Sequence, residues 1–159
     1  MKQLGVLAVI VLLGSVSTTA IADKPSDDRA SEMAADLMIQ QADGVMRLGN
    51  LEDAESLYDM AIQMYPGGAK SYEARAKVRF KRKNYTGAIE DLNIYLSRFP
   101  KDERMLLLRS ISKSLLSPED VAGACADLLR IRELGVSPES LGANNTGKYC
   151  KGQLGWDGV

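Results

Sequence analysis

The apolar residues of this chain recur with the period of an α-helix, in stretches that follow one another as pairs. Between residues 54 and 65, the apolar side chains lie at i, i+3, i+4, i+7, i+8 and i+11, which places them on one helix face. Glycine, asparagine or proline separates the stretches, and these residues are typical of helix ends. The pattern therefore predicts an all-α fold of consecutive helices joined by short turns.

The helix ends follow from these punctuating residues. Asp-Lys-Pro-Ser-Asp at 23–27 is read as a linker, with the first helix beginning near Ser26 or Asp27. Gly49 and Asn50 end that helix, because glycine adopts the left-handed geometry of a helix C-terminus. The predicted helices span about 26–48, 52–65, 69–83, 85–99, 103–116 and 118–134, with Pro66 and Pro100 ending the second and the fourth and Pro118 in the first turn of the sixth.

Two landmarks recur at a fixed interval. Ala88 follows Ala54, and Pro100 follows Pro66, at the same distance of about 34 residues, which is typical of stacked helix pairs. We call this interval one repeat period. A third cycle is looser, because residues 123–128 match residues 87–92 only when the interval is lengthened by two. The sequence therefore predicts an array of about three pairs, with a longer turn before the last helix.

These residues resemble the tetratricopeptide repeat (TPR) family, which places small residues where two helices approach closely. The resemblance covers about residues 32–136, in units of about 35–68, 69–102 and 103–136, and it implies a short right-handed α-solenoid of about three TPR helix pairs. Lys83 replaces the turn glycine of the second unit, and the third unit lacks both the glycine and the proline. The matching residues are Ala42, Gly49, Ala54, Tyr58, Ala61, Pro66, Ala76, Ala88, Leu92, Pro100, Ser110, Ala124 and Leu128.

The TPR resemblance implies a concave groove, lined by the first helix of each pair, that holds an extended peptide or a partner segment. We therefore predict a non-catalytic scaffold or assembly factor that binds an unidentified protein or peptide. The groove positions carried over from the family are Ile39, Asp43, Met46, Lys70, Lys77, Phe80, Lys81, Arg104 and Leu108.

A basic run gives an alternative function. Six cations lie between Arg75 and Lys83, within the predicted basic helix 70–83. They could bind an anionic envelope polymer or ligand, which would make the chain a regulatory subunit. Helical spacing nevertheless divides Lys70, Lys77 and Lys81 from the arginines Arg75, Arg79 and Arg82, so the cations do not converge on one ligand. The third possibility is a solvated helix with ion pairs to neighbouring acids.

Composition argues against catalysis. The 159 residues include no histidine, which removes imidazole bases and the common zinc sites. The formal net charge of −1 gives no reason to expect nucleic-acid binding. We predict no enzymatic activity, no cofactor and no metal, and we place the carboxylates Glu90, Asp91, Asp127 and Glu133 on helix surfaces. The methionines Met33, Met38, Met46, Met60 and Met64 are predicted to be core residues, with a methionine-lined binding surface as the alternative.

The first 22 residues have the pattern of a secretory signal peptide. Lys2 precedes an apolar run from Leu4 to Leu13, and Ala20-Ile21-Ala22 fits a cleavage site before Asp23. The run is short for a membrane span. We predict cleavage after Ala22, followed by a linker and the start of the first helix over 23–31. The mature protein is then expected to be periplasmic or secreted, of bacterial origin, and not stably inserted in a membrane. The alternative is that the segment remains as an uncleaved membrane anchor.

Export changes the interpretation of the two cysteines. An even cysteine count in an oxidising compartment predicts a disulfide between Cys125 and Cys150, with two unpaired thiols as the alternative. The surrounding residues also resemble a pattern of exported repeat proteins, in Cys125-Ala126-Asp127, Glu133-Leu134-Gly135 and Tyr149-Cys150. From the even cysteine count and the weak helix signal of the last residues, we expect the disulfide to close a C-terminal cap and tail, residues 137–159, over the last repeat.

Overall fold

The fold is all-α, as predicted. The computed structural model describes residues 24–118, 121–137, 140 and 150, with side chains from residue 27 onward. The predicted signal peptide at 1–22 and, apart from Ser137, Ser140 and Cys150, the residues of the predicted tail lie outside the described residues. The described residues form no strand, and their six helices are α1 Lys24–Arg47, α2 Leu51–Met64, α3 Ala69–Lys81, α4 Tyr85–Arg98, α5 Glu103–Leu116 and α6 Val121–Glu133.

Proline and glycine set the helix ends. α2 and α4 end immediately before Tyr65-Pro66 and Phe99-Pro100, because a residue that precedes proline is disfavoured in the helical region. The backbone at Tyr65 is accordingly non-helical, with φ −140° and ψ 83°. These ends confirm the prediction, whereas α1 begins at Lys24, earlier than predicted, with Pro25 in its first turn. Proline is tolerated there because the first helical N–H groups have no partner within the helix.

The helix starts repeat at the spacing seen in the sequence. α2 and α4 begin one repeat period apart, at Leu51 and Tyr85, and so do α3 and α5, at Ala69 and Glu103. α6 begins at Val121, two positions later than one period after α4, which confirms the longer turn before the last helix. The predicted position of Pro118 in the first turn of this helix is wrong, because Pro118 lies in the preceding turn. Residues one period apart, with this shift added in α6, therefore occupy matching positions in successive helix pairs.

Each helix packs against its neighbours in sequence. α1 packs on α2, α3 on α4 and α5 on α6, and further contacts join α2 to α3 and α4 to α5. This arrangement is consistent with a small helical bundle or solenoid. None of the described helices is both long enough and apolar enough to cross a membrane. The predicted small residues lie at the helix contacts, where Ala42, Ala54, Ala61, Ala76, Ala88 and Ser110 are buried.

The disulfide between Cys125 and Cys150 is present, as predicted. Its two Cα atoms lie 5.5 Å apart, and both cysteines are buried in a core that also contains Leu128 and Ile131 of α6. Cys150 is therefore tied to α6, the last of the described helices. A second, smaller core lies in the first half of the chain, around Ala42, Ala54, Tyr58 and Val78.

Lys83 has an unusual backbone conformation. It lies one repeat period after Gly49, at the matching turn, and its φ of 63° falls in the left-handed region that Gly49 occupies with a φ of 88°. A side chain with a Cβ is strained there, and the cost is about 1–2 kcal/mol. The turn keeps the geometry of a glycine although the sequence supplies lysine.

Replacing Lys83 with glycine should therefore stabilise the protein. We expect Lys83→Gly to raise the free energy of unfolding by about 1 kcal/mol, because relief of strain exceeds the added flexibility of the unfolded chain. Urea unfolding measures this change. Lys81→Gly is the control, since Lys81 is the last residue of α3 and has no left-handed backbone strain to relieve, so glycine there should not stabilise the protein. A loss of stability in Lys83→Gly would contradict the strained turn.

Candidate binding cleft

A cleft of about 270 Å³ runs between α1 and α3. Its lining residues on α1 are spaced i, i+4 and i+7, and those on α3 are spaced i, i+3, i+4 and i+7, so each set shares one helix face. Five of the nine predicted groove residues meet here. The full lining is Ile39, Asp43 and Met46 from α1, Tyr58 from α2, and Lys70, Glu73, Ala74 and Lys77 from α3.

The cleft combines apolar and charged groups. Ile39 and Met46 are half-buried on its α1 side. Tyr58 donates a hydrogen bond from its hydroxyl to Oδ1 of Asp43, at 2.5 Å, which fixes the carboxylate at the cleft wall. Lys77 forms an ion pair with Glu73 at 2.5 Å. The arrangement offers apolar contact beside an oriented carboxylate and an ammonium group, which suits a peptide more than a purely apolar ligand.

Burial and the bond to Asp43 favour the protonated form of the Tyr58 hydroxyl at the cleft wall. Burial, followed by the hydrogen bond to Asp43 and the negative charge of that carboxylate, raises the pKa of the Tyr58 hydroxyl above its ordinary value. Burial and Asp102 raise the pKa of Tyr95 in the same way, where the Tyr95 hydroxyl donates to Asp102 at 2.8 Å. Both tyrosines therefore favour a folded state in which the phenol is neutral.

We expect the protein to lose stability in alkali. The folded state binds the Tyr58 and Tyr95 protons more tightly than the unfolded chain does. The contribution of these two hydroxyls to the free energy of unfolding is therefore complete below a pH of about 10 and falls as the pH rises above it. Urea unfolding at several pH values measures how steeply the free energy of unfolding falls with pH, and this slope should be smaller in Tyr58→Phe. Tyr85→Phe is the control, since Tyr85 forms no hydrogen bond to a carboxylate among the described residues. An equal slope in Tyr58→Phe and the wild type would contradict the assignment.

A second cleft adjoins the first. Ile39 and Lys70 also line a second cleft of about 270 Å³, which extends along the first half of α1 to Tyr65 and to Phe99. Because the two clefts share these residues, they form a continuous groove beside α1 and α3. A groove of this kind accommodates an extended segment better than a compact ligand.

The other predicted groove residues lie apart from this cleft. Arg104 and Leu108 line a separate cleft of about 390 Å³ on α5, together with Leu107, Ile111 and Ser140. Phe80 packs its ring near Tyr85, with ring centroids 5.7 Å apart, and Lys81 is exposed at the end of α3. The structure thus groups five predicted residues, pairs two others on α5 and places the last two at the α3–α4 turn.

Sequence reasoning missed Tyr58 and Ala74 as cleft residues. Tyr58 was predicted as a core residue from its helical spacing, and it is buried, yet its hydroxyl reaches the cleft wall. Its partner Asp43 lies 15 residues away on a different helix. No local pattern marks such a pair, because the contact depends on how α1 and α2 pack.

The arginines of the basic run are used inside the fold. Arg75 binds Asp91 with two hydrogen bonds, at 2.9 and 2.6 Å, and Asp59 at 2.6 Å. Arg79 binds Asp91 at 3.1 Å and Glu55 at 2.8 Å, and Arg82 also pairs with Glu55. Burial acts to raise the pKa of Glu55, but the hydrogen bonds and charges of Arg79 and Arg82 outweigh it and lower that pKa. The three arginines thus form ion pairs with neighbouring acids, which was the third possibility considered for the basic run.

Two carboxylates contradict their predicted surface placement. Asp91 is 1% exposed and Asp127 is 3% exposed. Each is buried because two cations of the preceding helix surround it: Asp127 binds Arg109 at 2.5 and 3.0 Å and Lys113 at 2.9 Å. A buried charge of this kind requires such partners.

The buried ion cluster is repeated along the chain. Arg109 and Lys113 lie one repeat period after Arg75 and Arg79, and Asp127 occupies the position in α6 that Asp91 occupies in α4. Arg109 also hydrogen-bonds Asn93 of the preceding pair at 2.8 Å, at the position where Arg75 binds Asp59. The same polar cluster is therefore repeated in successive helix pairs. It was not predicted from the sequence, although both its cations and its acids recur at the repeat period.

Three methionines contradict the predicted core placement. Met33 is 62% exposed, Met60 48% and Met64 43%, whereas Met38 and Met46 are half-buried. The exposed three have the helical spacing of core residues. They lie on α1 and α2, and Ile94, at the position of α4 that matches Met60, is also exposed, at 39%.

The sequence was compared with known proteins. No protein-family model matches it, and no curated protein is similar to it. The TPR resemblance therefore depends on the residues quoted above.

Proposed function

We propose that this chain is a non-catalytic protein–protein interaction module that binds an extended segment of a partner in the groove beside α1 and α3. The observation that carries this proposal is the cleft itself, where Ile39, Asp43, Met46, Lys70 and Lys77 line one continuous surface. The groove mixes apolar walls with groups that hydrogen-bond a peptide backbone or a charged side chain. These properties suit a scaffold or assembly factor.

The proposed architecture is a short right-handed solenoid of three TPR-like helix pairs, with a C-terminal cap closed by the disulfide. Three observations support it: helix starts that recur at the repeat period, small residues buried at the helix contacts, and the repeated cluster around Asp91 and Asp127. In such an array, the first helix of each pair lines one concave side. The α5 cleft at Arg104 and Leu108 would then extend the groove beyond α3.

Lys70 is the charged group best placed to meet a partner. It is exposed at the start of α3, it lines both parts of the groove, and it forms no ion pair among the described residues. Asp43 provides the complementary charge, because its Oδ1 is held by Tyr58. A partner segment would place an apolar side chain against Ile39 and Met46, with its polar groups near these two residues.

The alternative, binding of an anionic polymer through helix 70–83, has fewer cations available. Arg75, Arg79 and Arg82 pair with acids of α2 and α4, and Lys77 pairs with Glu73. Lys70, Lys81 and Lys83 are the cations of this helix and its turn without an ion pair in the described part of the chain. Lys70 lies about four turns from Lys83, so these charges do not form a compact anion site.

The compartment is part of the proposal. The signal-like segment 1–22 predicts export, and a buried disulfide fits an oxidising environment. We therefore propose that the module acts in the bacterial periplasm or cell envelope.

Charge reversal in the groove tests the function. We expect the double variant Lys70→Glu, Lys77→Glu to lose most of a partner that wild-type protein captures stoichiometrically from its own cells after mild crosslinking. Both side chains are at least partly exposed, so the free energy of unfolding should change by no more than about 0.5 kcal/mol. Quantitative mass spectrometry of the captured proteins measures the loss.

Arg130→Glu is the matched control, because Arg130 is a partly exposed cation of α6, outside the groove, that pairs with Glu133 as Lys77 pairs with Glu73. It should leave capture unchanged. Equal capture by the groove variant and the wild type would contradict binding in the cleft. Retention on an anionic polymer, with no protein partner recovered, would favour the alternative function.

A further inference from the structure

The hydroxyl of Ser71 is the one buried side-chain polar group of the described residues without a hydrogen-bond partner. Ser71 is 0% exposed, so solvent does not reach the hydroxyl. A buried polar group left without a hydrogen bond lowers stability, and the large majority of such groups in proteins are bonded. Ser71 also lines the second cleft beside α1 and α3. The unpaired hydroxyl therefore lies at the wall of the groove that the proposed function uses.

Ser71 lies in the first turn of α3, whose N-terminus receives no side-chain cap. Gly68 is the N-cap residue, and glycine has no side-chain oxygen for the first N–H groups of the helix, which have no partner within it. A Cβ atom on Gly68 would lie 3.5 Å from Oγ of Ser71. The Ser71 hydroxyl is therefore directed toward the place from which an N-cap side chain would reach the helix end.

The next repeat shows which group such a helix end binds. Asp102 is the N-cap of α5, one repeat period after the N-cap of α3. Its carboxylate accepts hydrogen bonds from the N–H of Met105 at 3.1 Å and from the hydroxyl of Tyr95 at 2.8 Å. Ser71 matches Met105, whereas Ala61 matches Tyr95 and has no hydroxyl. α3 thus keeps the matching N–H and has the Ser71 hydroxyl beside it, but its own N-cap brings no carboxylate.

Charged groups divide the walls of the second cleft. On the α3 side, Lys70 is exposed and forms no ion pair among the described residues, and Arg98 donates a hydrogen bond to the carbonyl oxygen of Gly67 in the turn before α3. The N-terminus of α3 adds the positive end of its helix dipole. Glu32 and Asp36 line the α1 side. The α3 side is thus positive and the α1 side negative, which suits a single carboxylate of a peptide more than a dense polyanion.

We propose that the N-terminus of α3 binds the side-chain carboxylate of an aspartate or glutamate in the partner segment. This carboxylate accepts hydrogen bonds from the N–H and the Oγ of Ser71, as the carboxylate of Asp102 accepts an N–H and a hydroxyl at α5. We name this the α3 cap site, and it consists of Gly68, Lys70 and Ser71. The inference rests on the proposed function, because the site lies in the groove, and it adds the acidic side chain as the group that is recognised.

Peptide selection tests the α3 cap site. The probe is a library of random peptides fused through their C-termini to a phage coat protein, so that any enriched acid is a side chain and not a free C-terminus. Peptides selected by the wild-type protein should share an aspartate or glutamate. In synthetic copies with both ends blocked, replacing that acid with its amide should raise the dissociation constant about 10-fold, because the charge-assisted hydrogen bonds are lost.

Variants of the site identify the groups that recognise the acid. In Ser71→Ala, the preference for the acid over its amide should fall to about 2-fold, and the melting temperature should not fall, since the hydroxyl has no partner to lose. Gly68→Asp gives α3 its own carboxylate and should also lose the preference. Ser112→Ala is the matched control, because Ser112 is a fully buried serine of α5 whose hydroxyl donates to the carbonyl oxygen of Leu108 at 2.7 Å. It should keep the full preference.

The selected peptides must also occupy the groove. Lys77 lines the first cleft and lies outside the α3 cap site, so Lys77→Glu should weaken the binding of these peptides. Peptides that depend on Lys77 but share no acid would overturn the cap site and leave the groove function standing. Failure to select any peptide, or selection only of peptides that bind Lys77→Glu as tightly as the wild type, would contradict both.

The remaining outcomes concern the acid itself. An acid that is preferred as strongly by Ser71→Ala and Gly68→Asp as by the wild type, with helical content retained by circular dichroism, would overturn the proposal. Loss of the preference in Ser112→Ala as well would also overturn it. A shared acid whose preference is lost in the two site variants and kept in Ser112→Ala supports it.

Discussion

Replacing Asp91 with alanine should lower the free energy of unfolding by about 3–5 kcal/mol, the largest effect expected from any single substitution described for this chain. The carboxylate is 1% exposed and accepts hydrogen bonds from Arg75 and Arg79. Its removal leaves two largely buried guanidinium groups without their shared partner. Burial acts to lower the pKa of Arg75, but the bonds to Asp91 and Asp59 and their charges raise it, which shows how strongly the cluster favours the charged form.

Urea unfolding of three variants isolates the cause. Asp91→Asn keeps one hydrogen-bond acceptor and should lose less stability than Asp91→Ala. Glu90→Ala changes the adjacent exposed carboxylate and should stay within about 0.5 kcal/mol of the wild type. Asp127→Ala should repeat the large loss, because Arg109 and Lys113 surround Asp127 in the same way. An exposed ion pair contributes at most about 1 kcal/mol to stability. If Asp91→Ala lowered the free energy of unfolding by less than this amount, the result would contradict the stabilising role of the buried cluster.

Breaking the disulfide should have the second-largest effect. Cys125 and Cys150 are separated by 25 positions in the sequence, and closing a loop of this length gives about 3–4 kcal/mol through the lost entropy of the unfolded chain. Both cysteines are also buried beside Leu128 and Ile131, so their loss disturbs the packing of α6. We therefore expect reductant to lower the melting temperature of the wild-type protein by many degrees.

The double variant Cys125→Ala, Cys150→Ala controls for other effects of the reductant. It should melt at the lower temperature whether or not reductant is present. A wild-type protein that melts at the same temperature with and without reductant, once thiol titration confirms complete reduction, would contradict the role of the disulfide in closing the array.

Local pattern was enough to predict the six described helices and the ends set by glycine and proline, whereas the start of α1 was predicted too late. The helix ends at Gly49, Pro66 and Pro100 depend on interactions within a few residues, and so does the apolar spacing of each helix. The local sequence is therefore sufficient to predict them. The conformation of Lys83 shows the limit of this reasoning. Lysine does not favour the left-handed region, and the matching position of Gly49 was the sequence feature that pointed to it.

The placement of charged and apolar side chains required tertiary structure. Asp91 has the sequence surroundings of a surface acid, and it is buried because Arg75, 16 residues away, reaches it from another helix. Met60 and Met64 have the spacing of core residues, yet they are exposed, because helical spacing does not show which sides of α2 other helices cover. Five of the nine predicted groove residues share a cleft, since TPR-like spacing fixes their helix face but not the length of the groove.

The central claim is that the groove beside α1 and α3 holds a partner segment. Site-specific photocrosslinking tests it most directly, with a photoreactive amino acid placed at Ile39 or Met46 in the cells that make the protein. Ser97 is the control position, because it is exposed on α4 outside the groove. The proposed function predicts light-dependent adducts with the same protein at Ile39 and Met46, weakened by Lys70→Glu, and none at Ser97. Absence of adducts at both groove positions, or equal adducts at Ser97, would contradict it.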